Sequence, residues 1–152
     1  LRNRGRTNVG LLGASYGGYM TLMGVGATDA FDAGASVCGV VNWETTVENA
    51  REYLGAVLMR KLGGTPDEKP YLYEELSPIT YVDDIDIPLL IVQGANDPRV
   101  PQSEAEQLVA SLTERDIDHE YLLFDDEGHG VVRTANRIEY ITRTVGFFEA
   151  HL

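Results

Sequence analysis

The sequence has one cysteine, two lysines and no apolar run that approaches the length of a membrane span. A lone cysteine cannot form an internal disulfide. Cys38 lies within the apolar stretch 35–41, which predicts a buried side chain that acts as a small hydrophobe. This cysteine usage favours a reducing compartment, so we expect a cytoplasmic location and no membrane attachment.

Basic residues are also scarce. The sequence has 12 basic and 24 acidic residues, which gives a net charge of −12. Such a charge repels phosphate backbones, and we expect no nucleic-acid partner. The acidic excess fits both a protein adapted to high salt and an ordinary acidic enzyme. The 152 residues are enough for one domain with its own core.

Apolar and amphipathic segments alternate along the chain. The pattern predicts strands over 8–14, 33–41, 88–94 and 118–124, helices over 16–27, 44–62, 103–115 and 133–152, and irregular structure over 67–86. Strands separated by helices indicate an α/β fold with a doubly wound, mostly parallel sheet of about four strands. Functional groups then belong at the carboxyl ends of the strands.

A Gly-x-Ser-x-Gly pattern stands between the first predicted strand and the first predicted helix, with Ser15 at its centre. This pattern in this context predicts a nucleophile elbow, a tight turn that presents the serine hydroxyl above the sheet. We expect the glycines around Ser15 to be required because a Cβ there would meet neighbouring backbone. The alternative is a serine that caps the helix. A dinucleotide loop is disfavoured because Ser15 occupies the second glycine position of that motif.

Asp97 and His129 follow the third and fourth predicted strands. The chain order Ser, Asp, His is that of the α/β-hydrolase triad. Asp97 also precedes a proline, and a turn aspartate is the alternative for it. The acids beside His129 suggest a metal, but no second histidine or cysteine lies close in sequence. We therefore expect no metal and no cofactor.

Three motifs together are more specific than any one of them. They are GASYGGYM at 13–20, GANDPRVP at 94–101 and DEGHG at 126–130. In this combination the chain resembles the prolyl oligopeptidase family of serine peptidases, and most closely its acylaminoacyl- and dipeptidyl-peptidase-like branch. The resemblance implies an α/β-hydrolase fold and short peptide substrates. It also implies that residues 1–152 are the C-terminal part of a catalytic domain, whose upstream strands and any β-propeller are not in this chain.

The resemblance assigns four roles in the chemistry. Ser15 would be the nucleophile, Asp97 the orienting acid and His129 the general base. The backbone N–H of Tyr16 would be one oxyanion donor, as the residue after the nucleophile. A second donor comes, in the family, from a segment upstream of this chain.

Three further residues would bind substrate, again as the resemblance implies. Arg99 would bind a backbone carbonyl of the substrate, although a surface arginine in a turn is the alternative. Val40 and Trp43 would line the pocket for the residue before the scissile bond. Simple core filling is the alternative for Trp43.

Three functions stay open at this point. The first is a serine peptidase that works through an acyl-enzyme. The second is an esterase or other small-molecule hydrolase on the same fold. The third is a catalytically silent assembly module. The first predicted strand is apolar on both faces, and such strands are interior in parallel sheets. We therefore expect an open sheet edge that another chain or a second copy covers.

Overall fold

The core of the molecule is a four-stranded parallel sheet. It is seen in a computed structural model that describes residues 8–49 and 52–152. The strands are β1 (Gly10–Ala14), β2 (Ala33–Val37), β3 (Leu89–Gly94) and β4 (His119–Phe124), in the spatial order β1-β2-β3-β4. Every neighbouring pair is parallel. All four carboxyl ends therefore lie along one edge of the sheet.

Helices occupy the connections between the strands. They are α1 (Tyr16–Ala27), α2 (Trp43–Asn49), α3 (Glu52–Leu62), α4 (Pro70–Leu76), a 3-10 helix (Pro78–Asp84), α5 (Gln102–Glu114) and α6 (Thr134–His151). None of the helices that the structure describes is both long and apolar enough to cross a membrane.

The helices cover both faces of the sheet. On one face α1, the 3-10 helix and α5 pack on β3, with Leu22, Ile91 and Leu108 in a shared cluster. On the other face Phe147 of α6 packs against residues of β2, β3 and β4 such as Phe124. Because β2 and β3 are buried along their whole length, they need apolar or small side chains on both faces. The doubly wound α/β fold expected from the sequence is confirmed.

The structure corrects two of the predictions, the end of the second strand and the irregular structure over 67–86. The second strand ends at Val37 rather than at residue 41, because Cys38 has a φ of 48°, outside the β region. The predicted helix 44–62 is described as α2 and α3, and residues 50–51 between them lie outside the described part. Residues 67–86 are largely helical, because Pro70 and Pro78 each stand in the first turn of a helix, where a missing N–H costs nothing.

One apolar surface remains exposed. On β1, Leu12 is 47% exposed. On α6, a stripe of three apolar residues is exposed: Ile138 at 63%, Ile141 at 52% and Val145 at 51%. Within the described residues β1 has a strand partner only on its β2 side. We call Leu12 and this stripe the exposed apolar face. Exposed apolar side chains grouped along a helix or a strand edge are candidates for contact sites.

We expect the 152-residue chain alone to associate through the exposed apolar face. The double variant Ile141→Glu/Val145→Lys adds an i,i+4 ion pair on α6 and should shift the elution toward the monomer in size-exclusion chromatography. Tyr71→Ser is the matched control, because Tyr71 is 84% exposed but belongs to α4. A wild-type chain that elutes as a stable monomer would contradict the prediction.

Candidate active site

The loops after β1, β3 and β4 bring Ser15, Asp97 and His129 together. The Ser15 hydroxyl lies 2.7 Å from Nε2 of His129. Nδ1 of His129 lies 2.7 Å from Oδ2 of Asp97. Since an ionised carboxylate only accepts hydrogen bonds, Nδ1 carries the proton and Nε2 is left as the acceptor for the serine hydroxyl. This is the arrangement in which a histidine can take a proton from a serine.

The backbone at Ser15 is strained. Its φ of 56° and ψ of −119° lie outside the regions that residues with a Cβ prefer. Such strain concentrates at functional sites. Ser15 occupies the residue before α1, yet its side chain makes no capping hydrogen bond and its hydroxyl meets His129 instead. The helix-cap alternative is therefore wrong for the serine side chain.

Close approach explains part of the glycine pattern around Ser15. A Cβ on Gly13 would lie 2.2 Å from the carbonyl oxygen of Gly17, and one on Gly18 would lie 2.9 Å from the carbonyl oxygen of Val37. A Cβ on Gly17 would meet nothing within 4 Å among the described atoms. The expected backbone clash holds at Gly13 and Gly18 and is wrong at Gly17.

Asp97 is held by its own loop. Its side chain is fully buried, and Oδ1 accepts the backbone N–H groups of Arg99 at 2.8 Å and Val100 at 3.0 Å. These two bonds orient the carboxylate so that Oδ2 faces His129. The turn alternative and the functional hypothesis are compatible in this one side chain, because Oδ1 closes the turn and Oδ2 meets the imidazole.

Glu127 anchors the loop that carries His129. It is 1% exposed, and its Oε1 accepts the backbone N–H of Arg133 at 2.8 Å and the amide of Asn136 at 2.9 Å. Burial alone would raise the pKa of Glu127. The hydrogen bonds from Asn136 and from the backbone of Arg133 and Val132 outweigh it, so the pKa lies below its ordinary value. The run of acids around Glu127 gave no sign of this role, since it is typical of a solvated turn.

Cys38 lies close to Asp97 and His129. The prediction that it is buried is confirmed, at 2% exposure. Its sulfur and one ligand atom each from Asp97 and His129 lie within 4.8 Å of one another. Both ring nitrogens of His129 already have hydrogen-bond partners in Asp97 and Ser15. We therefore interpret the cluster of Cys38, Asp97 and His129 as part of the candidate active site and not as a separate metal site. Burial, with the Asp97 charge adding to it, raises the pKa of the Cys38 thiol to about 11 and keeps it protonated.

A cavity of about 150 Å³ opens beside Ser15. Its lining is mostly apolar and consists of Ser15, Tyr16, Val40, Trp43, Thr46, Leu58, Arg99, Val100 and His129. The three residues expected to bind substrate all line it. Sequence reasoning missed three others. Thr46 lies one helical turn after Trp43, and Val100 directly follows Arg99, so nearness in sequence to a predicted pocket residue could have indicated both. No local pattern in the sequence indicates Leu58.

Trp43 is both a core residue and a pocket wall. It is 7% exposed, and its ring meets the Tyr19 ring edge-on, with the centroids 5.3 Å apart and an interplanar angle of 72°. The ring of Tyr16 also contacts Tyr19, with its centroid 5.2 Å from that of Tyr19 and the two rings tilted by 53°. The backbone N–H of Tyr16 is the first of α1 and has no acceptor within the helix. Tyr16 itself lines the cavity.

A parallel sheet that carries a strained serine elbow, followed by an aspartate and a histidine at the same edge, defines an α/β-hydrolase. The family model described as the prolyl oligopeptidase family matches residues 5–152. The chain belongs to this family of serine hydrolases.

Individual relatives agree with this membership. Dipeptidyl aminopeptidase BIII of Pseudoxanthomonas mexicana is 41% identical over 145 residues, which are 91% of this chain and 21% of the relative. Dipeptidyl peptidase family member 6 of Caenorhabditis elegans is 38% identical over 88% of this chain and 19% of its own length. The chain thus spans about a fifth of the length of these curated relatives.

Solved structures agree as well. A Mycobacterium tuberculosis puromycin-hydrolyzing peptidase superposes with a TM-score of 0.92 at 28% identity, covering 100% of this chain and 23% of that one. An acylaminoacyl peptidase of Pyrococcus horikoshii gives a TM-score of 0.89 at 27% identity, covering 97% and 24%.

We expect Gly13→Ala to be much more damaging than Gly17→Ala. The Gly13 variant forces the elbow backbone apart, at a cost of about 1–3 kcal/mol, and displaces the Ser15 hydroxyl. The Gly17 variant should leave the melting temperature unchanged or slightly higher, because alanine favours a helix over glycine. Thermal unfolding of both variants checks this. Equal losses would contradict the steric account of the elbow.

The lowered pKa of Glu127 makes its contribution to stability dependent on pH. A carboxyl whose pKa is lower in the folded than in the unfolded state stabilises the fold above the ordinary value of 4.5, and this contribution is lost as the pH falls through the folded pKa. The stability difference between wild type and Glu127→Gln should be largest at neutral pH and shrink in acid. Urea unfolding across this range measures it.

Glu149→Gln is the matched control for that measurement, since Glu149 is an exposed carboxylate of α6. A difference between wild type and Glu127→Gln that stays constant down to strongly acidic pH would contradict the assignment.

Proposed function

We propose that the protein is a serine peptidase that cleaves short peptides through an acyl-enzyme formed on Ser15. The observation that carries the proposal is the continuous chain of hydrogen bonds from Ser15 through His129 to Asp97, at 2.7 Å each, beside an apolar cavity. Family membership supports a hydrolase, and the chemistry below follows from the geometry.

Acylation begins when Nε2 of His129 removes the proton of the Ser15 hydroxyl. The serine oxygen attacks the scissile carbonyl carbon, and the carbonyl electrons move onto its oxygen. The N–H of Tyr16 stabilises that oxyanion. Asp97 holds the imidazole in the required tautomer and stabilises the imidazolium. The proton on Nε2 then passes to the nitrogen of the leaving amine, and the amide bond breaks.

Deacylation repeats these steps with water as the nucleophile. His129 takes a proton from the water, whose oxygen attacks the ester carbonyl of the acylated Ser15. The oxyanion again meets the N–H of Tyr16. Collapse of the intermediate releases the acid product, and the proton returns from His129 to the serine oxygen.

Substrate binding is assigned to the cavity. Val40 and Trp43 offer an apolar wall for the side chain of the residue before the scissile bond. The exposed guanidinium of Arg99, at the same cavity, offers a donor for a backbone carbonyl of the substrate. A peptide substrate has such carbonyls, whereas a simple ester does not. The names of the relatives, dipeptidyl aminopeptidase and acylaminoacyl peptidase, point to peptides in the same way.

The test is fluorophosphonate labelling and peptide-amide hydrolysis by the full-length protein. Ser15→Ala should abolish labelling, and each of Ser15→Ala, Asp97→Asn and His129→Gln should lower kcat by roughly 10³-fold or more. The triple variant should be little worse than Ser15→Ala, because the three residues act as one unit. Ser103→Ala is the matched control, an exposed serine on α5.

The alternatives predict different outcomes in the same experiment. Hydrolysis of short-chain esters without hydrolysis of peptide amides would identify an esterase. Absence of labelling in the wild-type protein would identify a silent assembly module. Labelling of Ser15→Ala at the wild-type rate would place the nucleophile elsewhere.

A further inference from the structure

Glu104 is a buried carboxylate that the chemistry above does not use. It stands in the first turn of α5 and is 0% exposed, whereas glutamate is almost never fully buried unless it is paired. In the part of the chain that the structure describes, no arginine or lysine forms an ion pair with it. A charge in this position requires other partners to offset its desolvation.

Four neutral donors surround the Glu104 carboxylate. Oε2 accepts the backbone N–H groups of Val41 at 3.2 Å and Asn42 at 2.8 Å. Oε1 accepts the hydroxyl of Thr45 at 2.6 Å and the amide of Gln107 at 3.3 Å. Hydrogen bonds to an ionised acceptor are stronger than neutral ones. Both carboxylate oxygens accept two hydrogen bonds each. The two bonds to Oε2 hold the backbone of Val41 and Asn42, which lies between β2 and α2.

This backbone segment is the wall of the cavity. Val40 directly precedes the two N–H groups that Glu104 accepts, and Trp43 directly follows them. Residues 38–42 belong to neither a strand nor a helix. The Cys38 N–H donates to the carbonyl of Val92, and the carbonyls of Val41 and Asn42 accept backbone N–H groups, but the N–H groups of Val41 and Asn42 themselves donate to Glu104. The Trp43 N–H donates to the hydroxyl of Ser77 at 2.8 Å, which secures the far end of the segment. Glu104 secures its middle.

The helix that carries Glu104 also begins at the aspartate loop. The backbone N–H of Glu104 donates to the carbonyl of Pro101 at 2.9 Å. Pro101 is the last residue of the loop that contains Asp97, Arg99 and Val100. Val100 of this loop lines the same cavity as Val40. One carboxylate thus joins the two loops that supply the pocket walls and the acid of the proposed triad.

We propose that Glu104 is a positioning residue that sets the width of the substrate pocket by fixing Val40 and Trp43 relative to the Asp97 loop. The proposal rests on the proposed function, since it concerns the residue before the scissile bond. Removal of the carboxylate takes the acceptor from the buried N–H of Val41 and the half-buried N–H of Asn42, and the segment must move to satisfy them. The pocket changes, while the hydrogen bonds of Ser15 and His129 do not pass through this segment.

The experiment compares two substrates in the full-length protein. One is a peptide amide with a large apolar residue before the scissile bond, and the other is p-nitrophenyl acetate, whose acetyl group is too small to fill the pocket. Glu104→Leu should lower kcat/KM for the peptide by about tenfold or more, mainly through KM, and leave acetate hydrolysis and fluorophosphonate labelling within about twofold. Glu104→Gln should recover most of the loss, because its amide oxygen still accepts the two N–H groups.

Two further variants complete the set. Glu106→Gln is the matched control, a carboxylate on the same helix that is exposed and bonds only to Gln102 among the described residues. Thr45→Val removes the 2.6 Å bond without removing the charge. It should shift the peptide-to-acetate ratio in the same direction by a smaller factor. If Glu104→Leu does not fold, the ratios of Glu104→Gln and Thr45→Val decide the question.

The outcomes separate the two proposals. Peptide and acetate rates that fall together, or ratios that stay at the wild-type value in every variant, would overturn the role of Glu104 and leave the proposed function intact. A wild-type protein that is labelled by fluorophosphonate and hydrolyses acetate but no peptide would overturn the peptidase and, with it, the pocket role of Glu104.

Discussion

The parallel pairing of all four strands is the constraint on which the site depends. Parallel strands end at one edge, so the residue after β1, the loop after β3 and the loop after β4 meet although they are far apart in the chain. The 2.7 Å contact between Ser15 and His129 joins residues 114 positions apart. A single antiparallel strand would send its loop to the opposite edge and remove its residue from the site.

Three buried carboxylates stabilise the loops at this edge. Asp97 accepts the N–H groups of Arg99 and Val100, Glu104 accepts those of Val41 and Asn42, and Glu127 accepts that of Arg133. In each case an acid takes the place that a strand or helix partner has in regular structure. The N–H groups of Val41 and Val100 are buried, and a buried donor without an acceptor costs about 1–3 kcal/mol. The loops can therefore be irregular in shape and still well defined.

Much of the fold could be predicted because it follows from local patterns. Apolar runs locate the four strands, and the Gly-x-Ser-x-Gly pattern locates the turn after β1. The helices at Pro70 and Pro78 were not predicted, since a proline breaks a helix in its interior but favours its first turn. Local composition does not distinguish these two cases. The end of β2 depends on the positive φ of Cys38, which an apolar run does not reveal.

The candidate site divides in the same way. The sequence by itself determined which residues the proposed chemistry uses, because Ser15, Asp97 and His129 each lie in a short motif just after a strand. Only the tertiary structure decided what stands around them: the thiol of Cys38 close to Asp97 and His129, the carboxylates of Glu104 and Glu127 that hold the loops, and Leu58 in the lining of the cavity. The physical reason is that these contacts depend on the register of the sheet and on the packing of α5 and α6, which no local pattern of residues encodes.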